Sequence, residues 1–410
     1  MTASIWCITK YIGLPSAGKG GTRTFMLMRE MARRGHDCLI ITSDSNHLTN
    51  PPIVPGRDLV NREGGVDICW LRTHKYTGAQ SIGRMVSWLD FEWRLLRLRK
   101  DRFKRPDVVI VSSLSLLTVL NGIWLKRKFK CRLVFEIRDI WPLTLIEEGG
   151  FSPKNPLIRL LGWVERLGYR RADAIVGTMP NLEQHVDEQL ADHAPVFSVP
   201  FGIDPASLSD NEAVTSDWVA RFIPDNKFIV CHAGTIGATN ALDTLIECAK
   251  ETKAHTDIHF LIVGEGDLRQ QYQDVCKDMD NIVFTGPVPK SMVQSVASYC
   301  DLLYFSALKS RVWAYGMSLN KVVDYMLAAK PILGSYTGYR SMVEEAGAGT
   351  VVPAEDVGAL RSEIERYRAM SVDEREQIGA RGRDWMLANR TYGTLAEHYL
   401  AIALRPPENV

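Results

Sequence analysis

The chain has 410 residues, with 49 Lys and Arg against 48 Asp and Glu for a net charge of +1. That length is too great for one hydrophobic core and suits two or three domains, while the near-zero charge excludes a global field drawing the protein to nucleic acid. The eight cysteines (7, 38, 69, 131, 231, 248, 276 and 300) are scattered without a C-x-x-C, which predicts reduced core residues rather than a disulfide or zinc framework.

Residues 1–14 lack a basic start and carry Lys10 within their apolar stretch, so no secretory leader is expected. Residues 4–9 read as the first strand. A glycine-rich loop, 10–23, follows, then a helix over 22–34 ended by Gly35 and a strand over 37–42. This is a βαβ unit whose loop lies at the carboxyl end of a strand, where such folds bind ligands. The spacing is not G-x-G-x-x-G and no Walker Lys-Ser/Thr is present, so neither dinucleotide nor P-loop chemistry is indicated. His36 reads as a helix-end residue rather than a base.

Residues 53–77 read as loop and short strands, and 80–104 as a helix rich in Arg, Trp, Phe and Leu. The basic and aromatic residues of 84–105 fit either an anionic membrane surface or a packed helix with a solvated basic face. Residues 108–125 carry no charge over eighteen positions, long enough to cross a membrane. They also divide into a strand, 108–111, and a helix from about 114, which is the expected arrangement. The next strand, 133–137, leads into Arg138-Asp139-Ile140-Trp141-Pro142. Charges at a strand end are costly unless they face solvent, a partner or a ligand, so Glu136, Arg138 and Asp139 are expected beside a ligand. Helices at 155–172 and 181–189 and strands at 174–176 and 196–199 complete the first half.

Residues 205–225 are polar and patternless, and the domain boundary is placed there: 1–205 for the first domain, with 391–410 packing back on it, and 206–390 for the second. The β–α alternation then restarts, with strands at 228–232, 259–263, 282–285, 302–305, 332–335 and 350–352. Helices lie between them and follow them. Gly234 and Thr235 stand in a small-residue turn before a helix, where phosphate could approach the backbone; Gly264 and Glu265 stand in a similar turn. In both places a structural turn is the alternative. Lys309, Arg311 and Arg340 are plausible diphosphate counterions or solvated loop residues. Asp278-Met279-Asp280 is a formal D-x-D at a helix end, without a flanking strand, so no metal site is expected. Two doubly wound halves imply strand-end loops turned to a shared cleft.

The most informative stretch is 315–331. It reads as a glycine turn at Gly316, a polar loop, a helix from about Ser318, and Pro331 opening a strand. A helix entered this way points free N–H groups and partial positive charge at whatever precedes it. Asn320 and Lys321 add hydrogen-bond donors there, and Asp324 lies one turn on. Such a set suits phosphate at one end and a diol at the other, as in a nucleotide-sugar. The alternative is a capped helix with a surface Lys321–Asp324 pair.

These motifs resemble the family 4 retaining glycosyltransferases, which have the two-Rossmann-domain GT-B fold. The resemblance spans nearly the whole chain: the loop and helix of 10–34 with its Arg34-Gly35-His36; Arg138-Asp139-Ile140-Trp141-Pro142, similar to the "DLWP" of a subgroup building bacterial surface polysaccharides, L-fucosamine-type transferases among them; Pro200-Phe201-Gly202-Ile203-Asp204; and the helix from Ser318 to Pro331. It implies that Asp324 accepts from the nucleotide ribose, that Asn320 and Lys321 lie at the diphosphate, that Gly20 and Gly21 flank sugar or phosphate, and that Gly234 and Thr235 meet phosphates. Asp139 would face the sugar, and Arg23, Glu136 and Arg138 the acceptor. It further implies a UDP-sugar as donor, no cofactor, and a lipid-linked or oligosaccharide acceptor at the cytoplasmic membrane face. Gly316 stands where the family carries its first carboxylate, and 234–238 lack the usual cation pair, which Arg311 or Lys321 would have to replace. A nucleotide-sugar 2-epimerase and a non-catalytic nucleotide-sugar-binding protein are the alternatives.

Overall fold

The computed structural model describes residues 2–17, 21–46, 50–76, 82–113 and 115–406. Contacts divide the chain into two units, Met1–Pro200 with Tyr392–Val410, and Phe201–Thr391.

The first unit is built on an eight-stranded sheet. Its strands are β1 (Ser4–Ile8), β2 (Asp37–Ser43), β3 (Asp58–Glu63), β4 (Val66–Leu71), β5 (Val108–Ser112), β6 (Arg132–Ile137), β7 (Ala174–Gly177) and β8 (Val196–Ser198), in the order β3-β4-β2-β1-β5-β6-β7-β8. β3 runs antiparallel to β4 and every other pairing is parallel. The central strands are runs of Val, Ile, Leu and Cys without polar alternation because helices cover both faces. The last helix, Tyr392–Ala403, belongs to this unit: Tyr392, Leu395, Tyr399 and Leu400 join the core that holds Phe25, Met28 and Met31 of the helix Arg23–Arg33.

The second unit has six parallel strands: β9 (Phe228–Ala233), β10 (Ile258–Val263), β11 (Ile282–Gly286), β12 (Leu302–Ser306), β13 (Ile332–Ser335) and β14 (Gly349–Val352), in the order β11-β10-β9-β12-β13-β14. One core lies on each face of this sheet, and the helix Asn320–Leu327 supplies Val322, Val323, Tyr325 and Met326 to one of them.

Several elements differ from the sequence reading. The second unit starts at Phe201 rather than 206, because Phe201 N–H donates to Ser318 Oγ at 3.3 Å and Ile203 N–H donates to the Arg390 carbonyl at 2.8 Å. The stretch 205–225 is not patternless: Thr215 caps a helix, Ser216–Phe222, by accepting from Trp218 N–H, and Trp218, Val219 and Phe222 pack on the core. A Thr cap followed by i, i+1, i+4 apolar residues was the available signal. The helix in 80–104 spans only Ile82–Arg97, and 108–125 divides into β5 and the start of a helix, Thr118–Phe129. Among the described residues no helix is long and apolar enough to cross a membrane. All eight cysteines are free and buried.

Candidate active site

In the second unit, two glycine turns are locked together at the carboxyl ends of β9 and β10. Gly234 N–H donates to the Val263 carbonyl and Ile236 N–H to the Glu265 carbonyl, each at 2.9 Å. A Cβ on Gly264, whose φ is +148°, would lie 1.8 Å from the Gly234 carbonyl oxygen, and one on Gly266 would lie 2.1 Å from that of Ile236. Only glycine permits this approach. The backbone approach is by itself sufficient reason for glycine at 264, the structural-turn alternative named from the sequence. Glu265 is spent on Arg269, 2.7 Å away, and its side chain is 56% exposed. Among the described residues the N–H groups of Thr235 and Gly237 make no backbone bond.

The helix Asn320–Leu327 meets this loop through a residue the sequence reading did not single out. Tyr325 Oη accepts from Ala233 N–H at 2.7 Å and donates to its carbonyl at 3.0 Å. That clasp fixes the helix against the end of β9 and brings Lys321 beside Gly234. A Cβ on Gly234 would lie 3.6 Å from Lys321 Nζ. The Lys321 ammonium donates to Asn240 Oδ1 from the neighbouring turn. Burial pushes its pKa down to about 8.

The surface Lys321–Asp324 pair is not formed. Asp324 has its ion pair with Lys290, at 3.9 Å, and burial raises its carboxyl pKa against that cation. Asn320, the first residue of the helix, is exposed, and Ser318 Oγ is used in holding Phe201. Arg311 is exposed at the start of a 3-10 segment, Arg311–Tyr315. Lys309 pairs with Glu355 at 3.1 Å, and Arg340 donates to the Glu344 carbonyl at 3.3 Å. Gly316 has φ +105°. A side chain is strained there, so the backbone route itself accounts for glycine where the resembling family carries a carboxylate.

In the first unit, Arg23 and Glu136 are not ligand-facing. Arg23 Nη1 meets Glu136 Oε1 at 2.6 Å, with side-chain exposures of 0% and 3%, and Nε and Nη2 donate to the carbonyls of Pro200 and Val199. Their assignment to the acceptor is corrected: the ion pair is buried and its guanidinium is engaged by three oxygens, so it presents no surface to a ligand. Arg138 is half-buried, its N–H held by Ser113 Oγ at 3.0 Å. Asp139 keeps an open surface, yet dense surroundings raise its carboxyl pKa against the cations Arg138 and Arg84. Glu148 is raised too, by burial and by Asp139. Gly20 lies outside the described residues; Gly21 lies just before the helix Arg23–Arg33.

An aromatic group beside Asp139 was also missed. Trp88 Nε1 donates to Tyr11 Oη at 2.8 Å, Tyr76 Oη donates to it at 3.2 Å, and Arg84 Nε does so at 3.3 Å. The Trp88 and Trp141 rings meet edge to face at 5.3 Å. Buried Lys10 donates to Ser87 Oγ at 2.8 Å, and burial pushes its pKa down to about 7. Aromatic rings ringed by hydrogen-bonding tips suit a polyhydroxylated ligand with apolar faces. These residues come from four separate stretches, which no local motif connects. Among the described residues no cluster of three His, Cys, Asp or Glu could hold a metal ion; Asp278 and Asp280 flank the turn after a short helix. His36 ends its helix and accepts from Ala3 N–H at 3.2 Å.

Comparison with known proteins assigns both units. Residues 20–202 match the family described as "Glycosyl transferase 4-like domain" and residues 227–369 match "Glycosyl transferases group 1". An alpha-D-kanosaminyltransferase of Streptomyces kanamyceticus is 24% identical over 232 residues, 55% of this chain and 57% of its own length. The chain thus spans little more than half of that relative. Sucrose-phosphate synthase from Thermosynechococcus elongatus superposes with a TM-score of 0.69 at 15% identity, covering 97% of each chain. An E. coli trehalose-6-phosphate structure bound with UDP-2-fluoro glucose gives 0.73 at 12% identity, over 99% of this chain and 100% of the other.

Proposed function

From the premise that the chain is a glycosyltransferase of the GT-B fold, we propose that it moves a sugar, with retention, from a UDP-sugar to a lipid-linked or oligosaccharide acceptor in bacterial surface polysaccharide synthesis. The observation that carries the sugar-donor half is the Tyr325 clasp, which sets Lys321 against the small-residue turn at Gly234. In the reaction the bond from the anomeric carbon to the diphosphate oxygen breaks, an acceptor hydroxyl oxygen bonds to that carbon, and the hydroxyl proton passes to the departing phosphate oxygen. Charge grows on the departing diphosphate, and Lys321, Arg311 and the opening of the helix Asn320–Leu327 stabilise it. Asp324 accepts from the ribose hydroxyls. The neighbour bound with UDP-2-fluoro glucose supports the choice of uridine.

On the first unit, Asp139 and the rings of Tyr11, Trp88 and Trp141 receive the acceptor sugar. The helix Ile82–Arg97 supports a lipid-borne acceptor. Phe91 and Leu95 face the core, while Met85, Val86, Leu89, Trp93 and Leu96 form an exposed stripe. The Arg97 guanidinium lies 4.0 Å over the Trp93 ring. An apolar stripe flanked by arginines suits an anionic bilayer surface.

The test is a thermal-shift screen of the whole chain against UDP, GDP and dTDP and their sugars, followed by product analysis with the stabilising sugar. A bound ligand raises the midpoint with its occupancy. The expected outcome is a rise with a UDP-sugar and a product of retained anomeric configuration. The reading fails if no nucleotide raises the midpoint. Co-sedimentation with vesicles containing phosphatidylglycerol checks the bilayer contact separately.

A further inference from the structure

His232 lies two residues before Gly234, at the end of β9. It stands next to last in β9, fully buried, and among the described residues neither ring nitrogen makes a hydrogen bond. Backbone groups of Thr235 and Tyr304 approach the ring closely enough to raise its pKa against the effect of burial, but at geometry too poor for a hydrogen bond. Buried polar groups are nearly always paired, and leaving one unpaired is destabilising. An imidazole left this way has a structural cost that a hydrophobic residue would not have.

The ring is not aimed into the apolar core. A Cβ on Gly234 would lie 3.5 Å from His232 Nε2 and 3.6 Å from Lys321 Nζ. The space that Gly234 leaves open is thus bounded by an imidazole nitrogen and an ammonium. Burial, with Lys321 beside it, pushes the His232 pKa down to about 3. The ring is neutral near pH 7, so it adds a donor next to Lys321 without adding a second repelling charge. With the proton on Nε2, the two nitrogens that flank Gly234 can meet one oxygen of an anion.

We infer that His232 is a direct ligand of the nucleotide-sugar diphosphate, its Nε2–H donating to a phosphate oxygen that Lys321 also holds, in the space left by Gly234. This rests on the sugar-donor reading given above. The imidazole then acts on the leaving group: its hydrogen bond strengthens as negative charge accumulates on the departing diphosphate.

The experiment compares wild type, His232→Leu and His232→Gln by calorimetry with UDP and with uridine, and by thermal melts. Leucine removes the donor and keeps an apolar filling. Glutamine returns an N–H near the same reach. The expected result is UDP affinity reduced about tenfold or more in His232→Leu, since a hydrogen bond to a charged group is worth roughly that factor. Uridine affinity stays unchanged, the His232→Leu melting midpoint is at or above wild type, and His232→Gln recovers most of the UDP affinity. A His232→Leu protein that binds UDP as wild type does overturns the inference alone. Equal losses for uridine and UDP, with a lowered midpoint, also overturn it by making the residue structural. A wild type that binds none of UDP, GDP or dTDP overturns both this inference and the reading beneath it.

Discussion

A buried cation in the first unit and a half-buried one in the second sit near strand ends, and they are finished differently. Arg23 in the first unit has its guanidinium on Glu136 and on the carbonyls of Val199 and Pro200. Among the described residues, Lys321 in the second has one close partner, Asn240, with the unpaired His232 nearby and a glycine in front. Burying a charge is costly in both places. In the first the protein itself offsets the cost, and the residue holds the fold. In the second the offset is incomplete, which is the state expected of a group that awaits an anion.

The sharpest way to break this comparison is to remove each cation in turn. Lys321→Ala should lower turnover of the sugar donor by about 10²–10³-fold, the usual loss for one preorganised charge-stabilising group, while leaving the melting midpoint near that of wild type. Arg23→Ala should do the reverse. Breaking a buried ion pair from one side costs about 3–5 kcal/mol, so denaturant unfolding should show a fall of that order, with UDP affinity in the remaining folded protein unchanged. If Arg23→Ala lost nucleotide or acceptor binding without losing stability, the two cations would not differ in kind.

A smaller effect sharpens the same contrast. Asp324 is a half-buried carboxylate whose only ion pair among the described residues is the long one to Lys290. Asp324→Ala should weaken UDP by about tenfold, the value of one charge-assisted hydrogen bond, and leave inorganic pyrophosphate affinity unchanged in calorimetry. Equal losses for both probes would place Asp324 at the phosphates rather than at the ribose.

The difference between these residues was only partly legible in the sequence. The two β–α series and the turn–helix at 315–331 could be read because periodicity and glycine placement are local. Lys321 and Asp324 follow from that helix. Arg23 and Glu136 looked equally functional, since a charge at a strand end or helix start reads the same whether or not its partner lies 113 positions away, as Glu136 does from Arg23. His232 was passed over inside an apolar strand; its lack of a partner exists only once Gly234 and Lys321 are folded around it. Tyr325 was not singled out, and its clasp on Ala233 is a contact across 92 positions. Gly316 looked like a lost carboxylate until its positive φ supplied a backbone reason.

The smallest predicted effect is also the most discriminating, because it moves two observables in opposite directions. Lys321 has a folded-state pKa of about 8, lowered by burial from the ordinary 10.5. Between those values the unfolded chain binds the proton that the folded chain has released, so this residue makes stability rise with pH from about 8 to about 10.5. Sugar-donor binding needs the ammonium. UDP affinity should therefore hold below pH 8 and fall above it, by at most about tenfold per pH unit. Calorimetric titrations at pH 7 to 9.5, beside denaturant unfolding at the same pH values, test both slopes. Lys321→Met should flatten the binding profile, since it removes the titrating group. A wild-type affinity that stays level through pH 9.5 would mean that the ammonium does not meet the diphosphate, and Lys321 would then join Arg23 as a structural cation.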